Sequence, residues 1–156
     1  MRFANARTIA TGLAAAVLIG AGPAALAQMD EGMSAASATH IAVLGGDAEV
    51  PAVVTNGNGT ALFMFDPQTN TLQWTVEFQD LTGPAVAAHI HGPATAEENA
   101  GVVIDLVVDG TESPLIGTTT ISAEQADELA TGLWYVNVHT EANPDGEIRG
   151  QIETNM

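Results

Sequence analysis

The sequence predicts an all-β fold, an antiparallel β-sandwich or Greek-key barrel with one short helix. Apolar and polar residues alternate with period two through most of the chain after residue 38, which is typical of strands with one buried face. Clusters of Gly, Asn, Asp and Pro separate these segments, and such clusters mark turns. Many short strands with turns between them favour an antiparallel sandwich or barrel over a parallel sheet.

Eight segments carry the strand pattern. They are 40–44, 61–65, 72–79, 84–91, 102–108, 115–121, 134–139 and 147–152. The third is the clearest, because four apolar side chains alternate there with four polar ones. In the fourth, the pattern assigns Val86, Ala88 and Ile90 to the buried face. Asn56-Gly57-Asn58-Gly59 has the composition of a tight turn and is predicted to join the first two strands.

One helix is predicted near residues 122–131. Ser122 and Gln125 have the spacing of a capping box, in which the serine hydroxyl accepts a hydrogen bond from the backbone of the third helical residue. Gly132 supplies the residue that commonly ends a helix. The short apolar face of this segment indicates a helix that packs against the sheet on one side.

The first 27 residues are predicted to be a secretory signal peptide. Two arginines precede an apolar stretch, and Ala25-Leu26-Ala27 matches a small-x-small cleavage pattern. Residues 28–38 are small and polar and are expected to form a flexible lead-in, which leaves 39–156 as the folded domain. The mature protein is therefore expected in the periplasm or outside the cell, with no membrane span.

The chain is strongly acidic. It has 19 Asp and Glu residues against 3 Lys and Arg, a formal net charge of -16. Arg2 and Arg7 lie in the predicted signal peptide, so its removal would leave Arg149 as the remaining arginine. Nucleic acid and anionic membrane surfaces are poor partners for this charge and cations are favoured, although most of the acidic residues are expected to serve solubility or a salty habitat. The chain has no cysteine, so packing rather than disulfides must stabilise it.

Three of the four histidines are predicted to bind a metal ion. His89 and His91 stand two apart on one strand, so their side chains project from the same face. His139 projects by the same rule from the outer face of the 134–139 strand. If these two strands lie side by side, three imidazoles converge on one sheet face. Both copper and zinc accept imidazole, and copper has the greater intrinsic affinity, so copper is favoured.

Other residues are weaker ligand candidates. His40 begins the first strand and is a possible fourth ligand, and Glu97, Glu98 and Glu141 lie in neighbouring loops. The His-x-His pattern is similar to the start of the metal site in copper,zinc superoxide dismutase. That enzyme uses more histidines at one site than this chain offers, as well as a disulfide, so a dismutase is not expected.

A structural role for the same residues is the alternative. Neutral histidine has both a donor and an acceptor, so His89, Asn137 and His139 could form a hydrogen-bond network that ties two strands to the loop after residue 140. Arg149 lies beside Glu147 on the last strand and is expected to form a bidentate ion pair with Glu49. No nucleophile motif or phosphate-binding glycine loop is present, so catalysis is not expected.

Several motifs in order resemble the CHRD domain, a module repeated in chordin and present singly in many exported bacterial proteins. The resemblance runs from about residue 40 to 153. Its marks are Leu44-Gly45, Glu49-Val50-Pro51, Leu81-Thr82-Gly83, Ala88-His89-Ile90-His91-Gly92, Tyr135-Val136-Asn137-Val138-His139-Thr140 and Gly146-Glu147-Ile148-Arg149-Gly150-Gln151. The usual second proline after Glu-Val-Pro is Ala52 here. The resemblance implies an immunoglobulin-sized β-sandwich, similar in general form to superoxide dismutase.

The sequence favours two functions over a third, an enzyme with metal-dependent redox chemistry. One is an exported metal-binding protein, for copper or zinc, without catalytic turnover. The other is an interaction module that binds an extracytoplasmic protein or surface, which the resemblance implies because chordin binds extracellular signalling proteins.

Overall fold

The structure, a computed structural model, describes residues 33–156. The predicted signal peptide and the first residues of the predicted lead-in lie outside this range. The described residues form strands joined by turns, with one short α-helix, which confirms the all-β prediction. The strands are β1 His40–Gly45, β2 Asn58–Asp66, β3 Thr71–Gln79, β4 Ala85–His91, β5 Val102–Asp105, β6 Leu115–Thr120, β7 Tyr135–Thr140, β8 Ile148–Gln151 and β9 Glu153–Thr154.

All described strand pairs are antiparallel. The strand order is β5-β4-β7-β8-β1-β2-β3-β6, and β9 pairs with β1. The sheet curls so that its two halves enclose one core, and the indole nitrogen of Trp74 on β3 donates to the carbonyl of Leu106, just after β5, at 3.3 Å. The functionally important neighbours are β4 and β7, which are 50 residues apart in sequence and side by side in the sheet.

The core consists of the inward side of this curled sheet. Alternate residues supply it, as the period-two pattern predicts. Its members include Ala42, Leu44, Phe63, Leu72, Trp74, Val76, Ala88, Ile90, Leu106, Leu129, Trp134, Val136, Val138, Ile148 and Ile152. Each of these side chains is at most 2% exposed. Because these core residues face inward, the residues between them on β4 and β7 must face outward, and those include the histidines.

The helix α1, Ala123–Ala130, has the predicted start. The hydroxyl of Ser122 accepts a hydrogen bond from the backbone N–H of Gln125, and the Gln125 side chain accepts one from the backbone of Ser122. Leu129 is the buried residue of its apolar side. Gly132 follows the helix with a φ of +71°, the left-handed conformation that favours glycine after a helix. The sequence prediction of this helix is confirmed.

Three details differ from the sequence prediction. The strand predicted over 102–108 ends at Asp105. Val86 is 48% exposed rather than buried, because the pairing of β4 with β7 shifts register between Ala85 and Ala87. Such a bulge adds an unpaired residue and turns its side chain away from the expected face. Asn58 and Gly59 belong to β2 rather than to a turn, and the chain before them runs as an irregular loop.

The 92–101 loop and the segment after β1 lie over the outer face of the strands that carry the histidines. The 92–101 loop, between β4 and β5, accepts hydrogen bonds from β8 through the carbonyls of Ala94, Thr95 and Glu98. Asn99 of this loop donates to the carbonyl of Val50 at 2.7 Å, which joins it to the segment after β1. The polar face of β4, β7 and β8 is therefore partly sheltered. In the described part of the chain, no helix has the length and apolar character needed to cross a membrane.

Candidate metal centre

The pairing of β4 with β7 brings the three histidines together. His89 lies opposite Asn137, and Ala87 lies opposite His139, so His89 and His139 are diagonal neighbours on one face. Diagonal side chains on adjacent strands are close enough for long side chains to touch. His91 is the next outward residue on β4. The prediction that these three residues share one outer face is therefore fulfilled by the register of the two strands.

The three imidazole rings surround a common point. Their centroids are 5.0 Å apart for His89 and His139, 5.6 Å for His89 and His91, and 6.0 Å for His91 and His139. One potential ligand atom from each ring lies within 4.8 Å of the others. Ligand nitrogens bound to one ion at about 2 Å are at most about 4 Å apart, so small ring movements would suffice to hold a metal ion.

Two backbone carbonyls fix the orientation of two rings. Nδ1 of His91 lies 3.0 Å from the oxygen of Ala100, and Nδ1 of His139 lies 3.0 Å from the oxygen of Pro144. A carbonyl oxygen only accepts, so each Nδ1 must carry a proton and each neutral ring keeps its lone pair on Nε2. Metal-binding histidines commonly have this arrangement, in which the outer N–H is held by a carbonyl.

Nε2 of His91 is buried and has no hydrogen-bond partner among residues 33–156. Nε2 of His139 lies 3.2 Å from Nδ1 of His89. Because Nε2 of neutral His139 is an acceptor, Nδ1 of His89 is the donor of this bond. An unpartnered buried lone pair is uncommon in folded proteins and calls for an explanation. A cation at the centre of the three rings would provide one.

Burial lowers the pKa of two of these histidines. His139 is 7% exposed, and its pKa is lowered mainly by burial and next by the neighbouring His89. Burial is also the largest cause of the lowered pKa of His91, with further lowering from His89 and Arg149, against the Ala100 hydrogen bond. Both rings are therefore neutral at pH 7, which is the form that binds a metal ion.

Tyr135 packs against the site from β7. Its ring is stacked on His91, with centroids 5.1 Å apart and an interplanar angle of 8°. Its hydroxyl accepts a hydrogen bond from the backbone N–H of Ala100 at 3.1 Å. Ala100 is also the residue whose carbonyl holds His91, so Tyr135 positions both the face of this ring and its hydrogen-bond partner. The sequence analysis did not identify this role, since it depends on the 92–101 loop.

Arg149 lies on the other side of Tyr135. Its guanidinium carbon is 3.5 Å from the centre of the Tyr135 ring, a cation–π contact. Strand β7 lies between β4 and β8, so His91 and Arg149 cover opposite faces of the tyrosine. Arg149 is 1% exposed.

The predicted bidentate ion pair between Arg149 and Glu49 is wrong. The guanidinium donates to the side-chain oxygen of Asn99 at 2.9 Å and to the carbonyls of Thr95 and Glu98 at 3.1 and 2.8 Å. These neutral acceptors all belong to the 92–101 loop, so the arginine fastens that loop to β8. The sequence could not distinguish this from an ion pair, because backbone carbonyls carry no sequence signature.

Glu49 contacts Asn137 instead. One carboxylate oxygen accepts from the Asn137 amide at 3.4 Å, and the other is buried with no hydrogen-bond partner within the described structure. Burial raises the pKa of Glu49 to about 7, although the charge of Arg149 and the Asn137 hydrogen bond act to lower it. Gly146 lies against both residues with a φ of +134°, and a side chain there would overlap them. Glu49 and Asn137 therefore form a buried polar contact beside the histidines.

Glu147 is the acceptor at the centre of a second hydrogen-bond network, separate from the histidine cluster. Its carboxylate, which is fully buried, accepts from the hydroxyls of Thr55, Thr82 and Thr140 at 2.6 Å each and from the backbone N–H of Thr82 at 2.8 Å. Burial by itself would raise the pKa of Glu147. The hydrogen bonds from the three threonines outweigh it and lower the pKa to about 2. Through this network, the segments that contain Thr55, Thr82 and Glu147 are joined to Thr140, the last residue of β7.

The weaker ligand candidates do not join the cluster. His40 lies on β1, which is separated from β7 by β8, and its Nδ1 is 2.9 Å from the hydroxyl of Thr39. Among residues 33–156, the group of potential ligands around the histidines contains no carboxylate. This leaves out Glu97, Glu98 and Glu141. Within the described residues, the candidate metal centre thus has three nitrogen donors.

A family model for the CHRD domain matches residues 40–152. This chain belongs to the CHRD domain family. The comparisons with curated proteins and with solved structures gave no match. The CHRD region contains all three histidines of the cluster, the two carbonyls that orient them, Tyr135 and Arg149. The candidate metal centre is therefore built entirely within the CHRD domain of this chain.

Proposed function

We propose that this CHRD protein binds a metal ion, copper in preference to zinc, through His89, His91 and His139, without catalytic turnover. The observation that carries the proposal is Nε2 of His91, a buried lone pair without a hydrogen-bond partner in the described part of the chain. The other nitrogen of the same ring is fixed by Ala100. A histidine that served only as a hydrogen-bond bridge would use both nitrogens. Copper is favoured because it binds nitrogen ligands most strongly among divalent first-row ions.

Export completes the proposed function. Residues 1–27 have the arginines, the apolar stretch and the cleavage pattern of a signal peptide. The negative charge of the chain would raise the local concentration of cations around it. We therefore propose a periplasmic or secreted protein that holds or delivers a metal ion.

A second candidate function is an interaction module for an extracytoplasmic protein or surface. Its support is that hydrogen bonds already connect His89 to His139, and connect His91 and His139 to two loops. In that function the histidines would be part of the scaffold, and binding would use another surface.

A calorimetric titration tests the two candidates. The purified protein would be titrated with Cu(II) and then with Zn(II), beside a His89→Ala/His91→Ala double variant. The metal-binding proposal predicts one ion per chain, bound by the wild-type protein and lost in the double variant. Equal, weak binding by both proteins would overturn it and assign the histidines to the scaffold. Circular dichroism of the double variant would check that its fold is intact.

A further inference from the structure

We propose that the cluster of His89, His91 and His139 selects copper as Cu(I), held by three nitrogen ligands. This inference rests on the proposed function, which leaves the charge of the bound ion open. Three features of the site bear on that charge. They are the neutrality of the ligands, the position of the nearest cation, and the number of donors.

The ligands contribute no negative charge. All three are imidazoles, and no carboxylate of the described residues belongs to the cluster. His139 is buried and the other two rings are half-buried, so water cannot fully replace the missing charge. The cost of transferring an ion from water into such a site rises with the square of the ionic charge, which makes a divalent ion about four times as costly as a monovalent ion of equal size. Neutral donors therefore favour the lower charge.

The nearest buried cation adds to this preference. Arg149 stacks on the far side of Tyr135 from His91, and its donors are directed to the neutral oxygens of Asn99, Thr95 and Glu98. Its repulsion of a bound cation doubles when the charge of that ion doubles. Arg149 therefore opposes Cu(II) more than Cu(I).

The number of nitrogen ligands also favours Cu(I) over Cu(II). Among divalent first-row ions, Cu(II) has the highest affinity for nitrogen ligands, so zinc is a weaker competitor at this site. The remaining choice is between Cu(II) and Cu(I). Cu(II) prefers square-planar or tetragonal coordination with at least four ligands, and the described residues supply three. Three rings around one point can complete a trigonal site for Cu(I).

The test compares affinities for the two copper ions in the same protein. The purified protein would compete anaerobically with a chromophoric Cu(I) chelator in the presence of ascorbate, and separately with a Cu(II) chelator without reductant. Zn(II) would be measured as a third ion. His91→Ala removes one ligand. His40→Ala is the matched control, because His40 is a buried histidine that lies on β1 outside the cluster. Circular dichroism would confirm the fold of both variants.

The expected result is a Kd for Cu(I) at least ten times lower than that for Cu(II). A tenfold ratio corresponds to a copper reduction potential raised by about 59 mV on binding. His91→Ala should lose this binding and His40→Ala should keep it. Binding that depends on His91 but is equal or tighter for Cu(II) or Zn(II) would overturn this inference and leave the proposed function standing. Absence of any binding that depends on His91 would overturn both.

Discussion

Nδ1 of His89 lies 3.2 Å from Nε2 of His139, although the two residues are 50 positions apart in the chain. The carbonyl of Pro144 holds the other nitrogen of His139, so the hydrogen bond must run from His89 to His139. A metal ion bound to Nε2 of His139 would take the place of the proton that His89 donates in this hydrogen bond. The same pair can therefore serve as a link between strands without metal and as a ligand pair with it.

Tyr135→Phe should weaken metal binding. The substitution keeps the ring stacked on His91 but removes the hydroxyl that accepts from the backbone of Ala100. The loop whose carbonyl orients His91 would then be held less firmly. Loss of an outer hydrogen bond at a metal site typically lowers affinity by about 10- to 100-fold, and we expect the lower end here. Competition titrations on the wild-type and variant proteins would measure it, and equal affinities would contradict the role of Tyr135.

Glu147→Gln should destabilise the fold by about 3 kcal/mol, because a buried carboxylate that accepts several hydrogen bonds would be replaced by a group that accepts fewer. The exposed Glu153→Gln is the control and should change the free energy of unfolding by less than about 0.5 kcal/mol. Urea unfolding at pH 7 measures both. A Glu147→Gln protein as stable as the control would contradict the structural role of this network.

The effect of Glu147 should also depend on pH. The pKa of Glu147 is lowered to about 2 in the folded protein, below its value in an unfolded chain. Its stabilising contribution is therefore present in full above about pH 4.5 and is lost as the pH falls toward 2. The difference in stability between the wild-type protein and Glu147→Gln should shrink in that range. A difference that stays constant down to pH 2 would show that the carboxylate is not held as an anion.

Glu49→Gln should have the opposite effect on stability to Glu147→Gln, because it should stabilise the protein above neutral pH. Burial raises the pKa of Glu49 to about 7, so the folded state holds its proton more tightly than the unfolded state. Its contribution favours folding below about pH 4.5 and is lost as the pH rises through 7. The variant should therefore be more stable than the wild-type protein at pH 8, by at most about 3 kcal/mol. The two proteins should be of similar stability at pH 4.

The control for Glu49 is the exposed Glu97→Gln, which should leave the pH dependence of stability unchanged. Thermal unfolding followed between pH 4 and pH 8 gives the comparison. A difference in stability between the wild-type protein and Glu49→Gln that stays constant across this range would show that folding does not raise the pKa of Glu49.

Gly117→Ala should destabilise the sheet. Gly117 lies opposite Trp74 in the pairing of β3 with β6, and a Cβ there would overlap the Trp74 ring. Overpacking of this kind typically costs about 1–3 kcal/mol. Gly101→Ala is the matched control, because a Cβ at that position meets nothing within 4 Å. Chemical denaturation of the two variants should separate them, and equal stabilities would contradict the tight packing of Trp74.

Local features of the sequence predicted much of the fold. Alternation identified the strands, and Ser122 with Gln125 identified the helix start, because both signals depend on neighbours in the chain. The exposed Val86 was not predictable, since the bulge arises from pairing with a strand 50 residues away. Period two also placed His89 and His91 on one face without any knowledge of the partner strand.

The supporting parts of the site were beyond the sequence. The carbonyls of Ala100 and Pro144 orient His91 and His139, but a backbone carbonyl is present at every residue and gives no signal of its own. The wrong expectation for Arg149 has the same origin, because its acceptors are largely backbone oxygens of a folded-over loop. The side-chain types in the sequence identified the histidines as ligand candidates. The tautomers of His91 and His139 depend on the positions of loop carbonyls, which only the structure gives.

A crystal structure of the copper-loaded protein, with an anomalous difference map collected at the copper edge, would test the central claim most directly. The account predicts one strong peak about 2 Å from Nε2 of His91, Nε2 of His139 and one ring nitrogen of His89. A peak at other residues, or no peak after loading with excess copper, would contradict it. The three histidines would then be part of the hydrogen-bonded scaffold of this CHRD domain.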